Sequence, residues 1–215
     1  MSSVTGVMVA HYDELLDELR QMDPYITEAM AWVVVRGRDA PLTVDDVVSR
    51  LGGDPGTVTR RPPLPLAGDS GAAAFEQRGD DVLIVASNTY GFSRPDVLAA
   101  LTEGAQAWGF WWLVNNAHEL FYSADGRLIT TVRIPDFDRS VPCGGENPRA
   151  LDSHLDGLQA LAEEKHEDDE AGDYGMTYPD HPTALATVEA MTGVRLEASW
   201  FMREQRCVSR APRLS

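Results

Sequence analysis

Residues 109–126, GFWWLVNNAHELFYSADG, bring Trp111, Asn115, Asn116, His118 and Tyr122 close together in the chain. Aromatic walls with a few amide and imidazole groups on the rim are the usual makeup of a small-molecule site. With Tyr90, these residues define a candidate ligand pocket: Tyr90, Trp111, Asn115, Asn116, His118 and Tyr122. A simpler chemistry competes with it. Asparagines that follow a strand satisfy the amides of their own turn through Asx-type hydrogen bonds. Cys143, in VPCGG, is the next candidate. A thiol nucleophile works as the thiolate and needs a lowered pKa and a positioned base, for which His118 or His154 would have to approach. Asp152, His154 and Asp156 are two residues apart and diverge on a helix, so they make no metal face. No G-x-S-x-G elbow occurs, and LGGDPG lacks the lysine of a phosphate loop. The sequence therefore implies no catalytic set, metal or cofactor.

Charge gives the other candidate surface. The formal net charge is -16, which repels a phosphate backbone or an anionic membrane and excludes nucleic acid as the expected ligand. Residues 163–173, EEKHEDDEAGD, hold seven acids against one lysine. Glu163, Glu164, Glu167, Asp168, Asp169 and Glu170 are the candidate contacts for a basic protein partner, drawn in by charge steering. Such a run of like charge reads as an exposed, flexible loop near 165–182. The tail 203–215 carries Arg203, Arg206, Arg210 and Arg213. It is expected either to lie back on Glu163–Asp173 or to be disordered.

These residues need a scaffold. A chain of 215 residues with 43% apolar content can build one sizeable domain, read here as a single unit over 1–215. The leucines of HYDELLDELRQM give an N-terminal helix ending before Pro24. AWVVVR is a buried strand. PLTVDDVVSRLGG is a helix capped by Thr43. Residues 60–71 read as a loop, AAAFEQRGDDVLIVASN as a hairpin, and SRPDVLAALTEG as a helix capped by Ser93. Trp108–Val114 is apolar at odd and even positions alike, so it is expected to be central with both faces covered. Asp125-Gly126 joins the next hairpin, which places Leu128, Thr130, Val132 and Ile134 on one face. Helices are expected over Arg149–Lys165 and His181–Met191, and a last strand over Val194–Met202. Hairpins this tight exclude crossovers, so the fold class is α+β, a mainly antiparallel sheet with helices packed on it.

Taken in order, RLGGDP, YGFSRPDVLAALTEG, the tryptophan-rich strand ending in an Asn pair, FYSADGRL and ALATVEAMTGVRL resemble the actinobacterial domain-of-unknown-function family 6461. The likeness spans roughly residues 31 to 196. It departs at VPCGGENP, where family members tend to have an Arg-aromatic-Gly segment, and in the acidic run and arginine tail. The resemblance implies no activity, cofactor or catalytic residue.

Only Cys143 and Cys207 are present, with no CxxC spacing, which suggests a reducing compartment. The N-terminus has no basic secretory region and no apolar run reaches membrane-span length, so the expected location is cytoplasmic, away from membranes. The sequence reading is a non-enzymatic, immunity- or antitoxin-like binding protein that recognises a basic partner through its acidic surface. Its alternative is a small-molecule-binding or enzymatic domain rimmed by Asn115, Asn116 and His118. Trp200, Phe201 and Met202 must be covered by the core or by a second chain. The expectation is the core, and a monomer rather than a homodimer.

Overall fold

The computed structural model describes residues 3–64, 71–87, 90–115, 117–134, 141–171 and 180–214. The strand Met30–Gly37 (β1) is buried over its first six residues, as its unbroken apolar run requires. It follows the helix Gly6–Met22 (α1) and precedes the helix Val44–Arg50 (α2) and the short strand Thr59–Arg61 (β2). The strands Ala73–Arg78 (β3) and Asp81–Ser87 (β4) form a hairpin whose turn uses Gly79 at φ 59°. The helix Pro95–Leu101 (α3) leads into Ala105–Trp112 (β5). His118–Ala124 (β6) and Arg127–Val132 (β7) follow, joined by Asp125 and Gly126 at φ 49° and 75°, the paired left-handed positions of a tight hairpin. Cys143–Gly144 (β8), the helices Asp156–Ala171 (α4), Asp180–Thr192 (α5) and Ala198–Met202 (α6), and Gln205–Val208 (β9) complete the described elements.

The nine described strands form one sheet in the order β2-β9-β3-β4-β1-β5-β6-β7-β8, and every neighbouring pair is antiparallel. The α+β expectation holds. Alternation along the strands feeds two cores. Trp32, Val34, Phe110 and Trp112 face a layer made by α1, α4, α5 and α6. Val33, Val35, Trp111 and Phe121 face α2 and α3. Strand β5 lies inside the sheet with a core on each side, as expected for the Trp108–Trp112 part of the apolar run, but the strand ends at Trp112 and Val114 is exposed.

Several local expectations change. Lys165 to Ala171 are helical rather than loop, because α4 runs through the acidic stretch, and residues 172–179 lie outside the described residues. That helix begins at Asp156, after a single 3-10 turn at Asp152–His154, rather than at Arg149. Ser93 does not cap α3: Arg94 holds that position, and the Ser93 hydroxyl donates to the Tyr90 carbonyl at 2.7 Å. A bulge between Tyr122 and Ser123 turns Leu128 toward the α2/α3 core while Val132 and Ile134 stay on the opposite one. Val194–Met202 is not a strand, since Ala198–Met202 form α6. Trp200 and Phe201 are buried there, but Met202 is exposed.

The arginine tail departs most. Its β9 pairs with β2 and β3, and Cys207, Val208, Ala211 and Leu214 are buried. Arg206 bonds Asp45 on α2, and the Arg213 amide donates to the Leu51 carbonyl.

Candidate functional site

Strand alternation divides the expected pocket. Trp111 and Trp112 face opposite cores, and the β5–β6 register sets Trp112 beside His118 and Trp108 beside Tyr122. Tyr122 therefore packs with the α1/α4/α5 side, stacked on Trp108 with ring centroids 5.3 Å apart. Trp111 lies on the other side, with Tyr90 edge-on at 6.3 Å. The Asn115 amide donates to the Tyr90 hydroxyl at 2.9 Å, and its carbonyl oxygen accepts the Ala117 amide at 3.2 Å. That second bond is the Asx chemistry of a turn. Asn116 lies outside the described residues. Tyr90, Trp111 and Asn115 thus come together, while His118 and Tyr122 are on the far face of the sheet. The five described residues of the six make no common pocket.

His118 instead meets a group that the sequence reading did not assemble. The His181 ring stacks on Trp112 at 4.8 Å, lies 5.6 Å from Phe110 and 6.0 Å from His118. Burial, with His118 and Lys165 nearby, drives the His181 pKa down to about 4. The Lys165 ammonium, buried on α4, bonds Asp180 at 2.7 Å. This group ties α4 to α5 within one helical layer and holds a half-buried, neutral imidazole against the sheet. No signal short of the register could have placed His181 on Trp112. Among the described residues no three His, Cys, Asp or Glu side chains gather to hold a metal.

Cys143 sits at the β8 edge, its thiol directed at the Val141 carbonyl. It opens on a cleft of about 340 Å³ whose walls include Pro148, Arg149, Asp152, Gln159 and Glu163. Burial and the Asp152 charge push the thiol pKa up, the reverse of what a thiolate nucleophile needs. Neither His118 nor His154 lines that cleft.

What remains is charge, and it is segregated. On α4, Glu163, Glu164, Glu167 and Glu170 are exposed, Asp168 is half-buried, and the Asp169 side chain lies outside the description. Glu163, Glu164 and Glu167 take part in no ion pair among the described residues. On α1, in the same layer, Asp13, Glu14, Asp17 and Glu18 are exposed. The cleft shared by Cys143 and Glu163 sets α4 at the β8 edge. The tail strand β9 is seven strand steps away, roughly 34 Å at the usual inter-strand spacing. The residues that follow it join the opposite core. At a Debye length of about 8 Å this separation screens the tail arginines from α4, and among the described residues the expected tail–acid contact does not form. No described helix is long and apolar enough to cross a membrane.

Compared with protein-family models, with curated proteins and with solved structures, the chain matches none.

Proposed function

We propose that this chain is a non-enzymatic cytoplasmic protein that binds a basic protein partner through the acidic outer surface of its helical layer, in the manner of an immunity or antitoxin factor. The observation that carries the reading is the row of exposed carboxylates on α4, Glu163, Glu164 and Glu167, which take part in no ion pair among the described residues and lie far from the arginine tail. A rigid helix holds these charges at fixed spacing, so they steer a cationic surface to one orientation rather than merely raising solubility. Glu163 also lines the Cys143 cleft, which gives the face relief as well as charge. The alternative, a ligand site at Asn115, Asn116 and His118, has its described members divided between two faces of the sheet. The likeness to family 6461 stands beside this reading as a proposal of kinship and adds no activity to it.

The test is capture from extracts of the cells that make the protein, using the immobilised wild-type chain and the E163K/E164K/E167K variant. Wild type is expected to retain a basic protein at low salt and release it at high salt, and the variant to retain at least tenfold less. Equal retention by the two chains, or no salt-sensitive protein at all, rejects the reading.

A further inference from the structure

A second surface on the same helical layer has a different chemistry. Where α6 packs against the end of α1, a shallow groove of about 440 Å³ opens between Glu18, Gln21 and Met22 on one wall and Ala198, Ser199 and Met202 on the other. Two methionines stand in solvent there, Met22 at 38% and Met202 at 64% exposure. The five residues of α6 spend Trp200 and Phe201 on the core, so Met202 is turned outward by the helix geometry itself. Methionine side chains are unbranched and polarisable, and surfaces built on them mould to a partner's apolar face.

We infer that the α1–α6 groove seats a basic amphipathic helix of the partner protein, its apolar stripe between Met22 and Met202 and its cationic flanks against the carboxylates on the rim. Charge complementarity selects that occupant. Glu18 and Met22 are four residues apart on one face of α1, with Glu14 one turn earlier on the same stripe. On the α6 side Glu197, next to Ala198, is engaged by His11 at 3.9 Å, so the acidic rim is the α1 wall. Of the neighbouring cations, Arg20 is held by Asp17, while Arg203 is exposed beside Met202 on the α6 side. An apolar floor with an acidic rim along α1 matches a helix with apolar residues at three- and four-residue spacing and lysines or arginines beside that stripe. The inference rests on the reading of the chain as a binder of basic proteins and names where and how such a partner is gripped.

The experiment uses the full chain and two labelled synthetic peptides: a helix with a leucine stripe and lysine flanks, and its scrambled isomer of equal charge. Fluorescence anisotropy near physiological salt limits the reach of the α4 charges to about 8 Å. Wild type is expected to bind the striped helix at least tenfold more tightly than the isomer. M202E and M22E are each expected to weaken it about tenfold, and E18K several-fold. E163K/E164K/E167K is expected to bind it like wild type. Met202 makes few demands on the fold, and the circular dichroism of M202E checks that it is intact. Equal binding of the two peptides, or indifference to M202E, overturns the inference, as does a wild-type dimer that M202E dissolves, which would show a second copy in the groove. Loss of capture in the α4 variant with unchanged peptide binding separates the two sites. Failure of the groove alone leaves the α4 reading standing, and failure of capture alone leaves the groove.

Discussion

His181 is the second residue of α5, where the helix dipole, Lys165 and His118 all oppose a positive imidazole and the ring is shut between Trp112 and Phe110. Its folded pKa of about 4 is below the ordinary value of 6.5. Above pH 6.5 both folded and unfolded chains carry the neutral ring and nothing is lost. As pH falls from 6.5 toward 4 the unfolded chain takes up a proton that the folded one refuses, so stability drops through that window. The loss attributable to this residue is about 3 kcal/mol. Phenylalanine keeps the stack and cannot titrate. H181F is therefore expected to lose about 3 kcal/mol less than wild type between pH 6.5 and 4, read from urea unfolding at several pH values. Parallel pH profiles for the two proteins would refute this. The same residue scale explains why the pocket reading failed. Asn115 was legible because an Asx turn is local chemistry, whereas the placement of His118 and Tyr122 depends on the pairing of β5 with β6. That register is set across the connection 113–117, where a shift of one residue exchanges the faces.

Among the elements, β5 shows how tightly the sheet is filled. Gly109 pairs with Val33 on one side and Phe121 on the other, and a Cβ there would lie 2.8 Å from the Phe121 ring and 2.8 Å from a Val33 methyl. Alanine for glycine in a strand commonly stabilises by restricting the unfolded chain. Here the clash wins: G109A is expected to lower stability by about 2 to 3 kcal/mol in urea unfolding, and an unchanged or higher midpoint would sink the prediction. Strands β1 and β3 to β7 and both tight hairpins could be read from the sequence because apolar runs and Gly- and Asp-containing turns are strong, short-range signals, whereas β2 falls partly in a stretch, 60–71, that reads as loop. The far half of α4 could not. Its inward stripe of Leu158, Leu161 and Ala162 continues with Lys165, whose stem is buried while its charge meets Asp180, so the apolar period stops where the helix does not. In α6, the apolar residues of Val194–Met202 read as a strand, yet Trp200 and Phe201, neighbours in sequence, are both buried in one core, an arrangement that a helical turn permits. Strand β9 hid among arginines because a four-residue strand owes its existence to partners more than a hundred residues away in sequence, β2 and β3.

At the scale of the whole molecule the chain separates its charge from its closure. The acidic helices lie on one layer, and the last residues seal the sheet at the other end. Strand β9 fills the gap between β2 and β3, Gln205 donates to the Trp200 carbonyl at 3.1 Å, and Arg206 reaches Asp45. Cys207 enters one core, while Val208, Ala211 and Leu214 enter the other. Removing residues 204–215 would strip β2 of its partner, leave the β3 edge from Ala73 to Phe75 unpaired, and open both cores at once. A dispensable basic tail would behave otherwise: its deletion would leave the fold intact and only make the net charge more negative. The truncated chain is expected to lose its cooperative thermal transition or to aggregate. L214A, which removes a single fully buried side chain, is expected to keep a cooperative transition at a stability lower by about 2 to 3 kcal/mol. Differential scanning calorimetry on both proteins distinguishes the cases, and a truncated chain that melts cooperatively at the wild-type temperature would show that the sheet closes without β9.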